Sequence, residues 1–333
     1  MVLKNILITG LLAVIAPLCI NAGQKEVCHN VPRDSIVLSD PAILADSTTR
    51  MYYMTGTGGK LWKSKDLDRW SGPYDVADTD PASWMGPHPA IWAAELHEYK
   101  GKYYYFATFT NPDVIIDEYR GNKIERRACH VLVSDTPDGP YRPMADKTYL
   151  PADRPTLDGT FWVDTDGKPY MIYCGEWLQN WNGTIERIRL KDDLSGTIGE
   201  GEILFRAFDS PWSREIIDGK ESPSKVTDGP WLFRTGTGRL GMLWTSWIYD
   251  KYTQGVAYSE SGTLDGPWIQ QQEPVTPPDF GHGMLFKTLD GKWMMSVHSH
   301  KNINGYYHRV PHLFDVDISG DRLIVSPVPR GCK

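Results

Sequence analysis

The sequence predicts an all-β protein, a five-bladed β-propeller in a single domain. Composition is the first sign: the 333 residues include 13 Trp and 17 Tyr beside 31 Gly and 24 Pro. That mix suits short aromatic strands joined by tight turns and leaves little room for long helices. The second sign is an internal repeat of a polar or Gly turn followed by an apolar, aromatic strand. Its copies are Thr49-Arg-Met-Tyr-Tyr-Met-Thr, Gly101-Lys-Tyr-Tyr-Tyr-Phe-Ala, Gly167-Lys-Pro-Tyr-Met-Ile-Tyr, Gly238-Arg-Leu-Gly-Met-Leu-Trp and Gly291-Lys-Trp-Met-Met-Ser-Val, starting 52, 66, 71 and 53 residues apart. The third is a strand-ending signature in three of these intervals, Ser64-Lys-Asp-Leu before Gly72-Pro73, Ser134-Asp-Thr-Pro before Gly139-Pro140 and Ser259-Glu-Ser-Gly before Gly266-Pro267. Each interval holds one four-stranded sheet, and such a sheet is best closed by radial packing, which covers both faces and protects most edges. A β-sandwich with an accessory domain explains aromatic strands but not the repeat.

Residues 1–22 read as an export signal. Lys4 gives the positive start, Ile6 to Leu18 an apolar run too short to span a bilayer, and Asn21-Ala22-Gly23 a cleavage site, with Leu18-Cys19 a poor lipoprotein signal. The mature domain is then residues 23–333, expected in the periplasm or outside the cell as a monomer, and no later apolar run is long enough for a membrane span. With 35 Lys and Arg against 42 Asp and Glu, the net charge of −7 argues against a nucleic-acid partner. Of the cysteines left after export, Cys129 and Cys174 lie in strand-like segments and read as buried, inert thiols. Cys28 and Cys332 would flank the seam of a closed ring, and their pairing is the expected disulfide.

Upstream of each repeated strand lies a short strand carrying one ionisable residue: Asp40, Glu95, Asp158, Asp228 and His282. First strands line the axis of a propeller, so these five would converge on one pocket. Carboxylates crowded there repel and desolvate one another, which splits their proton affinities into a donor and an acceptor, the requirement of glycoside hydrolysis. Nearby indoles, among them Trp92, Trp177 and Trp231, suit the apolar faces of sugar rings. Two other motifs carry less. Gly56-Thr-Gly-Gly-Lys60 lacks the spacing and the Ser or Thr of a phosphate loop and reads as a hairpin turn, and His298-Ser-His300 has metal-compatible spacing but no third ligand in sequence.

Leu38-Ser-Asp-Pro, Trp92-Ala-Ala-Glu95, Leu157-Asp158-Gly with Asp164-Thr-Asp-Gly-Lys, Asp228-Gly-Pro and Gly281-His-Gly together resemble glycoside hydrolase family 43 along nearly the whole mature chain. The resemblance implies an inverting, exo-acting hydrolase of plant or gum polysaccharides, of the α-L-arabinofuranosidase or β-xylosidase type. Asp40 matches the general base, Asp158 the carboxylate that tunes the donor, and Asp228 the general acid. The family usually has Glu where this chain has Asp228, which leaves Glu176 and then Glu95 as rival donors. Glu176, Trp177, Trp92, Glu95, Trp231 and His282 are the expected sugar-binding residues. His282 also resembles the axial histidine that faces a water-bound calcium in the central channel, although the chemistry requires no cofactor. A sugar-binding propeller without catalysis is the alternative, kept open by Asp228. A retaining fructan-type hydrolase is disfavoured because Ser39-Asp-Pro-Ala replaces its Asn-Asp-Pro-Asn.

Overall fold

A computed structural model describes residues 18–20, 27–119, 121–144, 147–151, 154–176 and 181–331. Five sheets form, and each predicted repeat becomes the second strand of one of them. Blade one runs outward from Ala42–Asp46 through Met51–Thr55 and Lys60–Ser64 to Arg69–Asp75, with Val27–Pro32 and Leu18–Ile20 added at its outer edge. Blade two is Ala90–Tyr99, Lys102–Tyr119, Asn122–Ser134 and Arg142–Pro143. Blade three is Thr156–Val163, Pro169–Gly175, Thr184–Leu190 and Thr197–Arg206. Blade four is Asp228–Arg234, Leu240–Tyr249, Lys251–Ser259 and Trp268–Gln270, joined by Arg214–Ile217 and Lys220–Glu221. Blade five is Gly281–Lys287, Trp293–Ile303, Tyr306–Asp317 and Ile324–Val325. The described residues contain no α-helix.

The second strands are continuous apolar runs because both faces of every blade are buried, and alternate residues serve alternate neighbours. Tyr105 and Phe109 pack toward blade one with Tyr53 and Leu61, while Phe106 packs toward blade three with Met171 and Tyr173. Ile172 and Ile185 then meet Met242 and Trp244 of blade four, and Leu243 and Val256 meet Met295 and Phe314 of blade five. Ile43, Met54, Met284 and Met294 fill the last interface. Five clusters at five interfaces make a closed ring. The seam between blades five and one is also bridged by hydrogen bonds from Leu38 N–H to Arg309 C=O (2.9 Å) and from Leu289 N–H to Tyr52 Oη (3.0 Å).

The strand-ending signature is structural. All three Gly-Pro bonds are cis. In blades two and four the aromatic after the proline reaches back to the turn, Tyr141 Oη donating to Pro137 C=O (3.0 Å) and Trp268 Nε1 to Leu264 C=O (3.3 Å). Gly56-Thr-Gly-Gly-Lys60 is a hairpin turn as expected. Cys129 and Cys174 are fully buried free thiols. Cys28 takes part in a disulfide, while Cys332, its expected partner, lies outside the described residues, as does the predicted signal apart from 18–20.

Candidate active site

Every blade bends its chain at the same place, with one residue in the left-handed region: Asp40 (φ 57°), Ala93 (φ 42°), Asp158 (φ 53°), Gly229 (φ 52°) and His282 (φ 49°). In blades two to five this is a bulge in the pairing of the first strand with the second. A bulge turns its N–H out of the ladder, and each one is satisfied by the preceding blade. Ala93 N–H donates to Thr57 Oγ1 (3.0 Å), Asp158 N–H to Thr108 Oγ1 (2.8 Å), Gly229 N–H to Asp158 Oδ2 (3.0 Å), His282 N–H to Thr245 Oγ1 (2.8 Å) and Asp40 N–H to His298 Nδ1 (3.0 Å). These five bonds form a circuit around the axis that fixes the side chains within it.

Asp40, Asp158, Asp228 and His282 line one cavity of about 310 Å³, with Trp92 and Glu176 also in its wall. His282 Nδ1 lies 3.2 Å from Asp40 Oδ1 and 3.9 Å from Asp158 Oδ2. Tyr252 Oη donates to Asp228 Oδ2 (2.8 Å) and lies 3.5 Å from His282 Nδ1. Contacts of 3.2, 3.5 and 2.8 Å thus lead from Asp40 Oδ1 to Asp228 Oδ2. The two oxygens therefore stand no farther apart than the roughly 9.5 Å upper end of the range for an inverting carboxyl pair.

The carboxyls differ sharply in proton affinity. Burial pushes all three up. In Asp40 this is outweighed, chiefly by the His282 charge, with the neighbouring His298, the Thr57 hydroxyl donating to Oδ2 and Arg309 adding to it, so the group stays below the usual carboxylate range. Its other oxygen, Oδ1, has no hydrogen-bond partner among the described residues. His298 accepts the Asp40 N–H on Nδ1, which assigns its proton to Nε2 and keeps the ring neutral, and burial holds its affinity well down. Asp158 is pushed up to about 6 by burial and by Asp40, against the pull of His282 and the Gly229 N–H. Burial and the neighbouring Asp158 push Asp228 up to about 7, against His282 and the Tyr252 hydroxyl. The three carboxylates also raise His282, despite its burial. The cavity therefore sets Asp40, biased toward its ionised form, against Asp228, biased toward its protonated form.

Glu176 is bound differently: both its oxygens accept from Arg127 (2.8 Å each), whose guanidinium lies 4.0 Å from the Trp92 ring centre. Burial pushes its carboxyl up and Arg127 pulls it back. Glu176 is thus held on both oxygens by one guanidinium nitrogen, with its proton affinity still raised overall by burial.

Two predicted residues sit elsewhere. Glu95 comes two residues after Ala93 of the blade-two bulge and does not line the cavity; its buried carboxylate meets His97 Nε2 (2.9 Å), and its charge still acts on Asp158 and His282. Trp231 stacks on His97 (5.4 Å, 18°) and lines a separate cavity at the other mouth of the channel. The expected register of five ionisable residues thus holds for Asp40, Asp158 and His282; Asp228 precedes its bulge and Glu95 follows it. Trp177 lies outside the described residues. Thr57, Tyr252, His298 and Arg309 were not read from the sequence, although Thr57 lies in the hairpin turn and His298 in the His-Ser-His motif. That motif divides, His298 serving Asp40 and His300 binding Asp279 Oδ1 (2.6 Å). His282 Nδ1 faces carboxylates, and no three His, Cys, Asp or Glu among the described residues are grouped to ligate an ion directly.

Comparison with known proteins matches residues 32–323 to the model for glycosyl hydrolases family 43. The chain belongs to that family. This family-43 hydrolase is 35% identical to a solved structure described as an endo-arabinase from Bacteroides thetaiotaomicron, covering 87% of this chain and 98% of that one with a TM-score of 0.74. It is 28% identical over 177 residues to the extracellular endo-α-(1→5)-L-arabinanase of Thermotoga petrophila, covering 43% of this chain and 34% of that protein, so the match spans about a third of the relative's length. The fold alone is shared with an α-L-arabinofuranosidase from Lactobacillus brevis, at 19% identity and a TM-score of 0.60 over 91% of this chain and all of that one.

Proposed function

We propose that this family-43 hydrolase cleaves α-L-arabinofuranosyl linkages within arabinan-type polysaccharide with inversion, outside the cytoplasm. Asp40 is the base, Asp228 the acid and Asp158 the carboxylate that keeps the acid protonated. One observation carries the chemistry: a single cavity brings together carboxyls whose surroundings drive their proton affinities apart, Asp40 downward and Asp228 up to about 7. Asp40, held toward its ionised form in the cavity wall, is the carboxylate that takes a proton from the attacking water. As the glycosidic bond breaks, Asp228 gives its proton to the departing oxygen. The charge on Asp158 disfavours an ionised Asp228, and His282 offsets the repulsion among the three. A silent sugar-binding propeller has no need of that split.

The sequence pointed to exo action on arabinofuranosides or xylosides. Family membership fixes neither the sugar nor the mode of attack, and the 35% identity to an endo-arabinase over nearly its whole length favours internal cleavage of arabinan. Export rests on the signal read at residues 1–22 and on the extracellular designation of the Thermotoga relative.

The test is early product analysis on linear arabinan. Oligosaccharides appear before free arabinose, and proton NMR finds the newly released reducing ends inverted. Retained configuration rejects the pairing of Asp40 with Asp228, and arabinose as the sole early product rejects internal cleavage.

A further inference from the structure

The second and third strands of blade five continue above the catalytic cavity as a hairpin, Trp293–Ile303 with Tyr306–Asp317. Its register sets His298 against Pro311, His300 against Arg309 and Asn302 against Tyr307. Directly paired residues share a face of the sheet, and this face begins at the catalytic base, since His298 holds the Asp40 N–H. One step up, Arg309 Nε donates to His300 Nε2 (3.4 Å), and Arg309 Nη1 reaches to 4.0 Å from Asp40 Oδ1. Tyr307 is the next residue on that face, about 7 Å nearer the tip at the usual rise of a strand, and it is 77% exposed. Beside it stands the blade-four hairpin, whose Tyr252 stacks on His298 (5.4 Å, 17°) and packs against Trp247 (5.2 Å).

We propose that Tyr307 is the platform of a distal sugar subsite, stacking a ring of the arabinan chain beyond the units held in the catalytic cavity. The inference rests on the arabinan reading above and deepens it. A phenol ring offers a flat apolar face of low conformational freedom with a hydroxyl at its edge, which suits the alternating apolar and polar surface of a furanoside. The polar ladder from His298 through Arg309 runs from the base toward the platform without a break. Tyr306, adjacent and 73% exposed, faces the other side of the hairpin and takes no part.

The experiment compares KM on linear arabinan with KM on an aryl arabinofuranoside. In Tyr307→Ala the ratio of the two rises by roughly 2- to 12-fold, the range of one aromatic contact, and Tyr307→Trp restores it. Tyr306→Ala, the matched exposed control, leaves the ratio unchanged. An unchanged ratio in Tyr307→Ala while the wild type cleaves arabinan overturns the subsite alone, as does an equal shift in Tyr306→Ala. A wild type inert on arabinan overturns the arabinan reading, and the subsite with it.

Discussion

Tyr252→Phe deletes one hydroxyl from the catalytic cavity and isolates its effect on the proposed acid. The ring is held between Trp247 (5.2 Å) and His298 (5.4 Å, 17°), so phenylalanine keeps its place. What is lost is the 2.8 Å donation to Asp228 Oδ2. A hydrogen bond to a carboxylate favours its ionised form, so removing it raises Asp228 from its value of about 7. Such bonds to charged groups contribute about 1.5–3 kcal/mol, and 1.36 kcal/mol corresponds to one pH unit, so the basic limb moves up by roughly one to two pH units. The direction follows from the acid's role: activity is lost as pH rises through the donor's pKa, and a higher pKa postpones that loss. The acid limb reports Asp40, which keeps its Thr57, His282 and Arg309 neighbours, and stays where it was.

The assay is kcat/KM against pH on an arabinoside with a poor leaving group, since this ratio reports the free enzyme. Asp158 and Asp228 repel each other, so the basic limb belongs to the pair, and the comparison of variant with wild type is the decisive quantity. A basic limb that stays in place, or moves down, refutes Asp228 as the donor and passes the role to Glu176, which has no contact with Tyr252.

Other substitutions separate the remaining roles. Asp228→Asn lowers turnover of poor leaving groups by about 10²- to 10⁴-fold while sparing activated aryl glycosides; Asp40→Asn abolishes both, and Glu176→Gln raises KM without leaving-group dependence, all read from steady-state rates across a series of aryl arabinosides. Asp228→Asn also stabilises the fold at pH 8: a carboxyl raised to about 7 binds its proton more tightly folded than unfolded, so its stabilising effect is full below the unfolded value and is lost as pH rises through 7, an effect of the order of 2–4 kcal/mol. Thermal unfolding at pH 4 and pH 8 checks it, because the variant's advantage must shrink at the lower pH. Cys174→Thr gives the Gly229 N–H a second acceptor, weakens its hold on ionised Asp158 and draws the shared proton off Asp228. Turnover of poor leaving groups then falls about tenfold, the effect of one pH unit on donor protonation, while Cys174→Ala, which offers no acceptor, shows no such leaving-group dependence.

The blades were legible because burial on both sides makes each second strand an unbroken aromatic run, as in Tyr103 to Phe106. The acids were legible because first strands line the axis. Glu95 and Trp231 were misplaced for one reason: a bulge adds a residue to the strand, and a shift of one or two positions sends a side chain down the channel instead of into the cavity. Tyr252, His298 and Arg309 were invisible because they come from second and third strands and reach the site only once the ring closes, Asp40 and His298 being 258 residues apart in the chain. A signal was nonetheless present. Thr108, Thr245 and His298 each stand opposite the residue just before a bulge, so a polar side chain recurring in aromatic strands marks the circuit.

That circuit also accounts for aspartate at position 228. The fourth blade's left-handed position is Gly229, where a Cβ would come within 2.7 Å of His282 Cδ2, so no acidic side chain fits in register with Asp40 and Asp158. The carboxyl is displaced to the preceding residue, paired with Thr245, and from there it already reaches Tyr252 Oη at 2.8 Å. In blade three the position that carries Thr108 and Thr245 in blades two and four is Cys174, which faces Leu157. With no hydroxyl there, the Gly229 N–H goes to Asp158 Oδ2 instead. One backbone bond therefore closes the ring and favours the ionised form of the carboxylate whose repulsion keeps Asp228 protonated. On the proposed roles, donor and tuning carboxylate are coupled through the backbone between them, and a shorter acid is expected to remain a donor as long as that bond, and the small residue that permits it, stay in place.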